Sequence, residues 1–185
     1  FYTLSSNGIE HGYLSCVYIL ITPSLKKKLV DYDSLYVREM NNNYYQSTGG
    51  VPAFQHPERI NSQKALYASI NDDNFSQYII LLSLWVAYFD HSVVQTFDES
   101  NLLFTALDFS GATKNDRYSN LKQSIGWKKA TSLCSRFGHI NCLLEGLKYI
   151  NNEVSQVPSL FDYLPKSVIT SSNFYSLLNN ITCLN

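Results

Sequence analysis

The sequence predicts a mainly α fold: a single-domain, multi-helix bundle around a central apolar helix at about 75–96, with room for a minor strand element near 13–21. Three observations carry that reading. The first is the run QYIILLSLWVAYF, in which only Ser83 is not apolar between Tyr78 and Phe89. The second is the helical spacing of apolar residues through the last third of the chain. The third is the placing of Pro, Gly and Asx residues where helices begin and end.

The apolar run decides the class. As a helix its twelve apolar-rich residues cover about 18 Å. A bilayer core needs about 30 Å and about 20 apolar residues. Asp72, Asp73 and Asp90 close the run on both sides. A membrane span is therefore excluded. The length also speaks against a strand, because strands usually run to about 5–6 residues. The remaining choice is a helix, apolar all round and so surrounded by protein. Asn74 is its expected N-cap, with Gln77 as the reciprocal capping-box residue.

The other elements follow in order. Residues 13–21, YLSCVYILI, form a short apolar run rich in β-branched and aromatic residues, read as a strand. Thr22-Pro23 signals a helix start. Leu25, Leu29, Tyr32, Tyr36 and Met40 then share one helical face, with Lys26, Lys27 and Lys28 spread around it as solvated charge. Residues 41–57, NNNYYQSTGGVPAFQHP, carry the strongest loop signal of the chain. A helix resumes at Pro57 and breaks at NDDN (71–74). Asp98 is placed to cap a further helix through Leu102 to Leu107, and Ser110-Gly111 ends it. Helices are expected over 113–125, 127–137, 139–152 and about 171–182, with Gly126 and Gly138 as breaks. One helical domain spans 1–185, with the long loop at about 41–57.

Composition narrows the function classes. The 185 residues are 45% hydrophobic and 16% charged, with a formal net charge of −1. That hydrophobicity and low net charge speak against disorder. A pI near 6.5 speaks against a nucleic-acid partner. Charge is nevertheless segregated. Between Lys64 and Lys114 there are six carboxylates and no Lys or Arg, whereas 114–148 holds seven basic residues against two acidic ones. Either the basic helices carry a patch or the two halves face each other.

No G-x-G-x-x-G, G-x-x-x-x-G-K-[ST], H-E-x-x-H, C-x-x-C or G-x-S-x-G occurs, and no cofactor is assigned. The cluster CSRFGHINC brings Cys134, His139 and Cys142 around a turn. It lacks a fourth ligand, so two small buried residues and a polar turn histidine are favoured over a metal. A Cys134–Cys142 disulfide is an alternative. Asn74-Phe75-Ser76 and Asn180-Ile181-Thr182 match the glycosylation tripeptide. Compartment stays open, intracellular or secreted.

The leading expectation is a non-enzymatic, soluble helical protein that binds another protein. Its binding residues would be Tyr44, Tyr45, Phe54 and His56 of the aromatic loop, or Lys128 and Lys129 of the basic hairpin at 114–148. Two further readings are an enzyme with a cysteine nucleophile and a histidine base, and a secreted, disulfide-stabilised module.

Overall fold

The computed structural model describes residues 1–24, 26–40, 49–61, 67–109, 116–136 and 138–163. The mainly α reading holds, but the first forty residues form short paired strands instead of the helix expected after Pro23. Helix α1 (Tyr2–Ser6) leads to β1 (Ile9–Glu10), and a 3-10 turn over Cys16–Tyr18 leads to β2 (Ile19–Ile21). β3 (Lys27–Leu29) and β4 (Tyr36–Val37) follow. β1 pairs antiparallel with β4, and β2 with β3. The strand expected over 13–21 is thus confined to its last three residues.

Thr22 explains the difference. Its amide donates to the Lys26 carbonyl at 2.9 Å, and its hydroxyl accepts from the Lys26 amide at 3.1 Å. A residue suited to cap a helix closes a hairpin here, and Pro23 presets the turn. Ile19 stands opposite Leu29, and both pack on the core. That cross-strand burial outweighs the helical spacing of Leu29, Tyr32, Tyr36 and Met40.

Helix α2 (Pro57–Asn61) precedes the main helix, α3 (Asp72–Phe89). Acidic residues in its first turn suit the macrodipole. Asn74 is not the N-cap: it lies inside the helix, buried, and its amide donates to the Val157 carbonyl at 2.8 Å. Burial also removes it as a glycan acceptor in the folded chain. The helix stops short of 96 because the Asp90 carboxylate accepts from the Ser92 amide at 3.1 Å, opening a 3-10 turn over His91–Thr96. Asp98 likewise caps a turn, accepting from the amides of Ser100 and Asn101, and no α-helix follows. Leu102, Leu103 and Phe104 are buried in irregular chain that bends at Leu102 and Leu103, and only a 3-10 turn forms over Ala106–Asp108.

The C-terminal helices are α4 (Asp116–Gln123), α5 (Ile125–Arg136) and α6 (Gly138–Glu145). The first break falls at Ser124, whose hydroxyl accepts from the Trp127 amide. Gly126 belongs to the first turn of α5, where a Cβ would sit 2.3 Å from Asp90 Cβ. The expected helix through 152 ends early in a 3-10 turn over Gly146–Tyr149. The segment 171–182 lies outside the described residues.

The core gathers on α3: Phe75, Tyr78, Ile79, Leu82 and Val86 meet Phe54, Phe104 and Val157. Polar groups on α3 find partners there. Ser83 Oγ donates to the Ile79 carbonyl at 2.7 Å and accepts from the Leu103 amide at 3.3 Å. Trp85 Nε1 donates to the Ala130 carbonyl at 3.0 Å. The helix is not enclosed all round, however. Leu81, Leu84 and Tyr88 are 37%, 52% and 42% exposed.

Gly146 brings its backbone close against α3: a Cβ at this position would stand 2.4 Å from Tyr78 Cγ and Cδ1. An Ala for Gly exchange in unstrained backbone usually stabilises. Here Gly146→Ala should destabilise by about 1–3 kcal/mol, read as a lower urea midpoint with an unchanged slope.

Candidate functional site

The residues expected to bind are divided by the structure. Tyr44 and Tyr45 lie outside the described residues. Phe54 is 1% exposed and its carbonyl accepts from Ser76 Oγ at 2.7 Å. His56 is also buried: its Nε2 meets the Tyr149 carbonyl at 2.9 Å, and its Nδ1 accepts from the Glu58 amide at 3.2 Å. Burial pushes its pKa down, so the ring is neutral and Nε2 carries the proton that Tyr149 accepts. The described end of the long loop therefore turns inward and joins α2 to the C-terminal turns. Lys128 and Lys129 stand exposed on α5.

The cysteines that are described are not activated. Cys142 is buried, and the Cys134–Cys142 bridge weighed from sequence involves a side chain outside the described residues. Burial pushes its thiol up to about 11. Cys16 is half-buried and free, and burial raises its pKa too. A nucleophile needs the opposite shift. The side chains of Cys134 and His139, and all of Cys183, lie outside the described residues. Among the described residues no group of three His, Cys, Asp or Glu side chains is arranged to hold a metal.

Two features remain. The first is the open stripe of α3. Leu81, Leu84 and Tyr88 follow at spacings of three and four, one helical face. Trp85 is half-buried beside them and stacks on Tyr88, with ring centroids 6.2 Å apart. Helix α5 runs antiparallel along this side, with Gly126 against Asp90 and Ala130 against Trp85. Lys129 lies one turn beyond Gly126 on the same flank. Ile125, at the head of α5, is 71% exposed.

The second is a buried polar seam where the N-terminal segment crosses the start of α3. Asp73 accepts from the amides of His11 at 2.5 Å and Gly12 at 3.0 Å. Glu10, 2% exposed, is its neighbour. Burial first, and then the Asp73 charge, push Glu10 up to about 9. Glu10 therefore keeps its proton at neutral pH and shares it with Asp73. Next to this pair Arg59 bridges to Asp72, with side chains 8% and 3% exposed. Arg59 Nε and Nη1 have no partner among the described residues, and they border a cavity lined by Gly12, Gln55, Asp72 and Ser76. It has room for about one water molecule. No organic substrate fits there. The seam locks two parts of the chain together.

Compared with protein-family models the chain matches none, and no curated protein matches it. Function then rests on the site. From sequence, Asp72-Asp73 reads as a pair of turn residues, and Glu10 gives no local signal at all.

The sign of the pH effect follows from the seam. Glu10 is raised from its ordinary 4.5 to about 9 in the folded chain. The stability it contributes is fully present below about pH 4.5 and is lost as pH rises through about 9. Glu10→Gln stays neutral throughout. It should raise Tm at pH 8.5 by about 2–4 °C for each kcal/mol recovered, and flatten the fall in Tm between pH 5 and 9. Identical thermal-melt profiles for both proteins would place the proton elsewhere.

Proposed function

We propose that this chain is a non-enzymatic helical interaction protein, docking an apolar helix of another protein on the open stripe of α3. The observation that carries the reading is the exposure of Leu81, Leu84 and Tyr88 on the most apolar helix of the chain. Anchors at i, i+3 and i+7 suit a helix laid alongside. Trp85 and Tyr88 supply aromatic area of the kind that dominates binding energy. Lys129 and Lys128 form a basic rim, and α5 has no carboxylate over Ile125–Arg136. The expected complement is a helix with an apolar face and acidic residues along one edge.

Of the two surfaces considered from sequence, the basic hairpin is favoured over the aromatic loop. Phe54 and His56 are already committed to internal partners. The thiol-enzyme reading finds no support at Cys16 or Cys142, both pushed away from the thiolate.

The test is a set of surface variants in affinity capture. Leu84→Asp should weaken a bound partner by about thirtyfold or more, since a central anchor carries about 2 kcal/mol. Lys128→Glu with Lys129→Glu should weaken the same partner. Gln156→Lys, on an exposed turn elsewhere, should leave it bound. Sedimentation velocity distinguishes a second copy of the chain from a different protein. Retention of every captured protein by both stripe and rim variants would sink the reading.

A further inference from the structure

We infer that the β2–β3 ribbon is a docking element for an anionic lipid surface. This is independent of the α3 stripe and shares no residue with it. The ribbon is rooted at one end, where Ile19 and Leu29 pack on the core. Its distal part is unusually apolar for an exposed hairpin: Leu20 is 49% exposed and Ile21 65%. Lys26, just before the returning strand, and Lys27 and Lys28 on it are all exposed. The register sets Leu20 opposite Lys28 and Ile21 opposite Lys27. Directly paired residues share a face and successive pairs alternate. Each face of the ribbon therefore ends in one aliphatic and one lysine, with Lys26 beyond them.

That arrangement selects the partner. No carboxylate lies within 19–29, and the nearest along the chain, Asp31 and Asp33, come after the ribbon's root. The cationic tip therefore complements phosphate- and carboxylate-bearing headgroups. Lysine stems cover neighbouring apolar surface while their ammonium groups reach outward. A folded acidic protein would cover one face of a two-stranded ribbon and leave Leu20 or Ile21 in water. A lipid interface surrounds the tip and receives both. The aliphatics would enter the headgroup boundary, and the lysines would hold the anionic lipids around them.

The experiment is co-sedimentation of the full chain with vesicles of phosphatidylcholine alone, or with about 30% phosphatidylserine. Binding is expected to the anionic vesicles only, and to fall steeply as NaCl rises from about 0.05 to about 0.5 M. Each lysine near such a surface is worth about fivefold in partitioning. Lys26→Ala with Lys28→Ala should therefore lower it about 25-fold. Lys26→Arg with Lys28→Arg should restore it. Leu20→Thr with Ile21→Thr keeps strand-forming residues and should lower binding about tenfold. Circular dichroism confirms that each variant is folded. Equal binding by wild type and the alanine variant overturns the proposal, as does no binding to anionic vesicles at low salt. Capture on immobilised polyglutamate without vesicle binding, dependent on Lys26 and Lys28, would assign the ribbon to an acidic protein and reject the lipid surface.

Discussion

Two backbone amides, of His11 and Gly12, end on the single carboxylate of Asp73 in the first turn of α3. Much of the N-terminal architecture depends on that junction. A buried carboxylate is costly unless it is hydrogen-bonded, and hydrogen bonds to a charged group contribute about 1.5–3 kcal/mol each. The helix N-terminus adds a favourable field. Glu10 completes the arrangement by keeping its proton, so the pair carries one negative charge instead of two. Gly12 makes the approach geometrically feasible. Its φ is +77°, and a Cβ there would stand 2.3 Å from the Ser34 carbonyl oxygen. With residues 10–12 held, β1 is in place to pair with β4, and the chain from 13 onward enters the core at Leu14.

The acidic stretch between Lys64 and Lys114 follows the same logic. Its aspartates are committed to internal ties and not to an acidic face. Asp72 holds Arg59, Asp73 holds the N-terminal segment, and Asp108 holds Arg117 of α4. Asp90 and Asp98 cap turns through Ser92 and Ser100, and those bonds lower both carboxyls below the ordinary range. The Asp108–Arg117 pair joins the acidic and basic stretches, so part of the charge segregation does record two halves meeting. The lysines of α5 and of the β2–β3 ribbon are exposed.

What is legible in the sequence follows from which interactions are local. The length and apolarity of 78–89 leave helix as the only outcome, and α5 with α6 follow from their spacing. Thr22-Pro23 is not decidable locally, because a side-chain acceptor followed by a preset φ serves a helix start and a hairpin turn equally. The pairing of Ile19 with Leu29 decides it, ten residues apart along the chain. NDDN offers four capping residues in a row. The choice among them depends on Val157, 83 residues on, which draws Asn74 inside. Lys128 and Lys129 can be named from charge alone. The stripe cannot, since an unbroken apolar run does not say which of its turns will be left uncovered.

Along α3 the usual relation of polarity to burial is reversed between its two ends. Asn74, Ser76 and Gln77 are polar and buried, whereas Leu81, Leu84 and Tyr88 are apolar and exposed. The polar end is bound to other segments through Val157 and Phe54. Such bonds are directional, so they fix the rotation of the helix about its axis in a way that apolar contacts alone do not. Given that rotation, Ile79, Leu82 and Val86 face the core, and the residues of the stripe, on the opposite flank of the helix, must face outward. The exposure of Leu84 is therefore imposed by bonds made two to three turns earlier in the same helix. Removing the stripe from water requires a surface brought from outside that constraint, because turning the helix inward would break the ties that orient it.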